Sequence, residues 1–154
     1  MSEARIPGQD GNGGNVQVSL QTVYLKDCSY ESPNGPRLPT NQAWEPKFQL
    51  NMNTAAEEIT PDVREVCLTI TLEAKQGEAT LYLVEVKQAG VFSMSGASAE
   101  DLKRLIGSFC PSVLFPYARE AVSDLITKGG FPSFLLPLVK IGRASCRERV
   151  LMSV

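Results

Sequence analysis

From Val16 to Gln88 apolar and polar residues mostly alternate, the period of two that belongs to extended strands. Val16, Val18 and Leu20 share one parity, and Val23 and Leu25 continue with the parity reversed. Such a phase shift predicts a bulge, or a strand buried on both faces. Phe48, Leu50 and Met52 alternate with Lys47, Gln49 and Asn51, the pattern of a half-buried strand. Val66, Leu68, Ile70 and Leu72 alternate with Glu65, Cys67, Thr69 and Thr71, the cleanest strand of the chain. A loop through Thr60-Pro61-Asp62 precedes it, and a turn at Lys75-Gln76-Gly77-Glu78 follows. Asp27 to Asn41 holds Pro33, Gly35, Pro36 and Pro39, which predicts a long irregular crossover rather than a hairpin. The strand Ala79 to Gln88 is apolar on both parities, Leu81 and Leu83 on one, Tyr82, Val84 and Val86 on the other. Helices of the same chain can cover one face, so the other predicts a partner chain.

Beyond Ser98 the period lengthens. A hydroxyl at Ser98 and a carboxylate at Asp101 form a start like a capping box. Leu102, Leu105, Ile106 and Phe109 then fall on one helical face. Pro111 and Pro116 each lack a backbone donor and crowd the preceding turn, so they predict a break. One helix should end near Phe109 and a second begin at Pro116. The second carries Ala118, Ala121, Val122, Leu125 and Ile126, and stops at Gly129-Gly130. These elements make one α+β domain, a sheet with a helical layer laid on it.

Charge and chemistry narrow the function by subtraction. The net charge is −2, yet residues 140–154 are basic and the body correspondingly acidic, which argues against nucleic acid. The chain has no histidine, and its four cysteines, Cys28, Cys67, Cys110 and Cys146, lie too far apart for a local metal motif. No cofactor, metal site or catalytic residue is expected. Glu57-Glu58 and Glu100-Asp101 read as solvated or dipole-matched charges, and Ser93 and Ser95 lack a nucleophile-elbow pattern. Glycine-rich residues 1–15 are polar without an apolar core, and read as a disordered arm rather than a signal peptide or phosphate loop. No apolar run is long enough to insert in a membrane. These features predict a soluble, cytoplasmic protein with free thiols.

Several strings resemble the SecB family of bacterial protein-export chaperones. They are Val23-Tyr24-Leu25-Lys26-Asp27-Cys28-Ser29-Tyr30-Glu31-Ser32-Pro33-Asn34, then Trp44-Glu45-Pro46, then Val84-Glu85-Val86-Lys87-Gln88-Ala89-Gly90-Val91-Phe92. The most specific is Cys110-Pro111-Ser112-Val113-Leu114-Phe115-Pro116-Tyr117-Ala118-Arg119-Glu120. The resemblance implies a four-stranded antiparallel sheet with helices on one face, assembled as a homotetramer, a dimer of dimers. It places Val84, Val86 and Gln88 in the oligomer interface, and Asp27, Glu31, Leu83 and Glu85 on a surface that docks the ATPase SecA. Any zinc at that contact would belong to SecA.

The same resemblance implies a holdase that binds unfolded preproteins and delivers them for export. Trp44, Phe48, Leu50 and Met52 resemble its client groove, although Phe48, Leu50 and Met52 equally suit the core face of a sheet. An unfolded client exposes apolar side chains, and a flexible methionine suits promiscuous packing against them. The alternatives are a related chaperone serving a toxin–antitoxin pair and a non-chaperone oligomeric scaffold. Residues 16–139 are expected to form the family domain. From Lys140 the chain departs: Lys140-Ile141-Gly142-Arg143-Ala144-Ser145-Cys146-Arg147-Glu148-Arg149-Val150 resembles translated adapter or vector sequence, and residues 140–154 read as a disordered or artefactual tail that replaces the family's last helix.

Overall fold

The structure, a computed structural model, describes residues 3–4, 16–38, 43–137 and 147–153, with backbone alone at 3–4 and 147–153. Four long strands run antiparallel: β2 (Gln17–Glu31), β3 (Lys47–Thr60), β4 (Val63–Gln76) and β5 (Ala79–Ser95). With β1 (Glu3–Ala4) and β6 (Arg147–Ser153) at the edges, the sheet order is β1-β2-β5-β4-β3-β6. Strands β3, β4 and β5 form a meander. Pro61-Asp62 makes the first turn and Gly77-Glu78 the second, where Gly77 takes φ 61 in the left-handed region. The register shift in the β2–β5 ladder at Leu20/Thr22 is the bulge that the broken parity predicts, and a second shift, at Leu25/Asp27, has no counterpart in that pattern.

The strands depart from the expected bounds in two places. Strand β2 runs on to Glu31, so the crossover begins at Ser32 rather than Asp27. Its end resembles a loop in sequence because Asp27, Cys28, Ser29 and Glu31 are exposed and polar. The two edge strands fall in segments read as disordered; β6 pairs with β3 from Lys47↔Ser153 to Asn53↔Arg147. The rest of the N-terminal arm, crossover residues 39–42 and residues 138–146 lie outside the described residues.

The two prolines do not separate two helices. Helix α1 (Ala99–Arg104), a π-helical turn (Leu105–Phe109) and α2 (Cys110–Lys128) follow without interruption. Ser98 caps α1 by accepting from the Asp101 N–H at 3.2 Å. The extra residue of the π turn carries the Cys110 N–H to the Leu105 carbonyl and seats Pro111 in the first turn of α2. It also rephases the apolar face, so that Leu105, Cys110, Leu114, Ala118, Val122 and Ile126 are all buried. Pro116 costs one bond, from its own nitrogen to Ser112, but both residues are exposed and water can serve that carbonyl. The stop is at Gly129-Gly130 as expected. Gly130 takes φ 83, its N–H bonds Thr127, and the Phe131 N–H bonds Ile126, a Schellman pair.

Helix α2 lies over β5 and β4. The face beneath it comprises Tyr82, Val84, Val86, Phe92 and Met94 of β5 with Val66, Leu68, Ile70 and Leu72 of β4, all buried. This overturns the assignment of Val84, Val86 and Gln88 to an oligomer interface. Val84 and Val86 are 1% and 0% exposed within one chain, and Gln88, at 5%, spends its Nε2 donor on the Tyr24 carbonyl. Helix and strand meet closely at Gly90, where a Cβ would stand 3.0 Å from Leu114 Cδ2 and from the Phe92 ring. Gly90→Val should therefore lower the stability by about 1–3 kcal/mol through overpacking, read as a shifted urea midpoint with an unchanged circular dichroism spectrum.

Candidate binding surfaces

Antiparallel pairing places opposed residues on the same side of the sheet. On the side away from the helices, register joins Glu31 to Leu83, Ser29 to Glu85 and Asp27 to Lys87 across β2 and β5. Strand β4 continues the rows, with Glu73 beside Leu83 and Thr71 beside Glu85. Asp27, Glu31, Leu83 and Glu85 thus share one open face. Asp27 and Glu31 are exposed, while Leu83 and Glu85 are half-buried. Thr71 Oγ1 donates to Glu85 at 3.4 Å, and Lys75 pairs with Glu73 at 3.3 Å. The result is an apolar residue within a mainly acidic surround, suited to a basic partner that carries an apolar side chain.

Nearer the other end of this face, Tyr24 Oη and Lys26 Nζ both donate to the Glu65 carboxylate. Donation from Lys26, then from Tyr24, holds Glu65 below the usual carboxylate range. The same bond raises Tyr24, whose charged form would face that carboxylate. A depressed folded-state value stabilises the fold fully above the unfolded pKa, and that gain is lost as pH falls through the lower value. Glu65→Gln should flatten the acid limb of a stability profile taken over about pH 2–6. Urea midpoints across that window check this.

On the helix side, an aromatic ladder closes the end of the sheet. Tyr30 and Tyr82 stack at 6.4 Å, Tyr82 meets Phe131 at 5.0 Å, and Phe131 stacks on Trp44 at 6.2 Å. Phe134 lies almost parallel to Phe48 with centroids 4.2 Å apart. The crossover is held against the sheet by Ser32 Oγ donating to Leu81, Asn34 Nδ2 to Thr80 and Gln76 Nε2 to Ala43. Tyr30 Oη donates to the Gly129 carbonyl at 3.4 Å. A side chain at 129 would collide with that ring, so glycine is needed there for space.

The structure divides the four groove candidates. Trp44 is 48% exposed and Met52 half-buried, but Phe48 is buried against Phe134 and Leu50 is buried in the core. Leu50, at 0%, lines no open groove. The sequence reading missed Tyr82, Phe131 and Phe134. Its usable signal was a pair of phenylalanines three apart in a proline-broken apolar run, directly after a helix stop. Among the described residues no three His, Cys, Asp or Glu gather to hold a metal ion. Burial pushes the Cys110 thiol up to about 12 and raises Cys67, while Cys28 is exposed. Of these three thiols, Cys28 should react first with a thiol reagent in the folded protein, and Cys110 only after unfolding; labelling followed by mass spectrometry checks the order.

Residues 12–142 match the family model described as preprotein translocase subunit SecB. The chain belongs to the SecB family. A protein-export protein SecB of Nitrosococcus oceani is 47% identical over 125 residues, covering 80% of this chain and 76% of that protein. The SecB of Methylococcus capsulatus is 48% identical over 120 residues, covering 78% and 77%. That of Pseudomonas putida is 36% identical over 148 residues, covering 96% and 91%. Among solved structures, a SecB-like chaperone of Mycobacterium tuberculosis, bound to a peptide from an antitoxin, superposes with a TM-score of 0.64. It is 16% identical and covers 79% of this chain and 90% of that one, a likeness of SecB fold. The α+β architecture expected from the sequence, with a four-stranded antiparallel core and helices on one face, is therefore the family's.

Proposed function

We propose that this SecB-family chain is a protein-export chaperone that binds unfolded preproteins and presents them to SecA. The observation that carries this reading is the pair of unlike surfaces at one end of the sheet. Exposed Trp44 marks an aromatic ladder fit for apolar segments, and the Leu83 patch with Asp27, Glu31 and Glu85 is fit for a charged partner. Binding and hand-over ask for no bond-breaking chemistry, so the chain acts without a catalytic residue or cofactor. Identities of 36–48% to export proteins favour this over the toxin–antitoxin reading, which rests on a likeness of fold alone. No helix among the described residues is long and apolar enough to cross a membrane. We place the protein in the bacterial cytosol, where Cys28 would remain a thiol.

A homotetramer needs a surface other than Val84, Val86 and Gln88. The outer edge of β2 beyond the short β1 pairing is the better candidate, since an exposed edge invites another chain. Leu25 and Tyr117, 47% and 50% exposed, supply apolar area on β2 and α2. Leu25→Asp combined with Tyr117→Asp should reduce the mass seen by light scattering; an unchanged mass refutes this interface.

Two measurements test the function. Stoichiometric protein should suppress aggregation of a slowly folding, chemically denatured preprotein; no suppression sinks the chaperone reading. Asp27→Lys and Glu85→Lys should each weaken SecA binding at low salt by roughly 5-fold or more, the scale of a rim charge reversal. Unchanged affinity removes SecA from this face.

A further inference from the structure

Asn34-Gly35 sits where the crossover leaves β2, at the start of a single helical turn, Gly35–Arg37. Two hydrogen bonds fix Asn34 there. Its Nδ2 donates to the Thr80 carbonyl at 3.0 Å, and its own carbonyl accepts from the Arg37 N–H at 2.8 Å. Gly35 takes φ 41, and a Cβ on it would meet nothing within 4 Å, so the space beside the pair is open. An asparagine followed by glycine has a reaction of its own. The glycine nitrogen, unhindered by a side chain, can attack the asparagine Cγ and close a five-membered succinimide.

The steps balance with water alone. The bond from the Gly35 nitrogen to the Asn34 Cγ forms, the Cγ–Nδ2 bond breaks, and ammonia leaves with the proton that Gly35 gives up. Water then opens the ring. Cleavage beside Cγ gives aspartate; cleavage beside the main-chain carbonyl gives isoaspartate, whose main chain is one methylene longer. Either product carries a carboxylate where Nδ2 donated, so that two acceptors face each other at Thr80. The folded geometry holds this reaction back. Closure needs the Gly35 nitrogen eclipsed with the Asn34 Cβ, and ψ −15 keeps the two apart. Turning ψ breaks the bond from Arg37, and freeing the amide breaks the bond to Thr80. We propose that Asn34-Gly35 is a self-modification site, closed to reaction while its turn is docked on β5, and that its deamidation loosens the crossover for good. The rate then follows the fraction of molecules with the turn open. Ser32 Oγ, bonded to the Leu81 carbonyl at 2.9 Å, helps to keep that fraction small. None of this depends on the chaperone reading.

The chain carries its own control, a second such pair at Asn12-Gly13. The full chain is held at mildly alkaline pH, folded and in concentrated urea, and conversion is read by mass after trypsin. The tryptic peptide 27–37 holds a single asparagine, Asn34. In urea both pairs should convert at similar rates. In the folded protein Asn34 should convert at least about tenfold more slowly than in urea. Equal rates in the two conditions overturn the gate, and no conversion of Asn34 in either overturns the site. Ser32→Ala should speed the folded-state conversion of Asn34 several-fold and leave Asn12 unchanged; without that acceleration the gate is not the docked turn. Trp44, the only tryptophan, lies in the crossover and is 48% exposed, so its release can about double quenching by acrylamide. Asn34→Asp should show that rise. The deamidated fraction of the unmutated chain, separated by its extra negative charge, gives the same readout should the variant fold poorly. Quenching unchanged in the deamidated fraction overturns the loosening of the crossover.

Discussion

Gly90 allows Leu114 of α2 to come within 3.0 Å of where a Cβ would stand on β5, and the two-layer arrangement rests on that approach. Helix and strand together bury Tyr82, Val84, Val86, Phe92, Met94, Leu114, Ala118 and Val122. At roughly 1.5–3 kcal/mol for each fully buried large apolar side chain, this contact dwarfs anything the surface ion pairs contribute. It also fixes which parity of β5 is interior. Once Val84 and Val86 lie beneath the helix, Leu83 and Glu85 must face the other way. The rephasing π turn serves the same contact, since without its extra residue the apolar stripes before and after Cys110 would not lie over the sheet together.

A period of two has a further consequence at the sheet end. Tyr30 and Glu31 are neighbours on β2, and Tyr82 and Leu83 are neighbours on β5. The tyrosines enter the aromatic ladder while Glu31 and Leu83 enter the acidic face opposite. The two surfaces are therefore opposite sides of the same strands, separated by the thickness of one sheet. A polypeptide held on the ladder and a partner docked on the acidic face would not compete for space, which a hand-over between them requires.

The sequence made much of this legible where one face of an element is plainly apolar. Val66 to Leu72, the cleanest alternation, is β4, and the parity break at Leu20 is a bulge in the β2–β5 ladder. Reading failed where two physical answers share one pattern. Strand β5 is apolar on both parities, so alternation could not say whether Val84 or Leu83 faced the helix, and the register with β2 decides it. Pro111 and Pro116 looked like a break because a regular α-helix cannot hold them cheaply; a π turn and an exposed position can. Asp27 to Glu31 read as loop because an edge strand open to water needs no apolar alternation. Phe48 and Leu50 could have been groove or core. The answer depends on Phe131 and Phe134, whose segment has no periodicity that would place it over the sheet.

That dependence also sets how the sheet end is held. Phe131 packs between Trp44 and Tyr82, and Phe134 stacks on Phe48. Stacked rings contribute about 0.5–1.5 kcal/mol each beyond their area burial. The polar contact between Ser123 and Ser133, long and exposed, adds little to that hold. The segment after α2 is therefore seated on the sheet mainly through its rings, and the burial of Phe48 follows from an element that carries no regular secondary structure of its own.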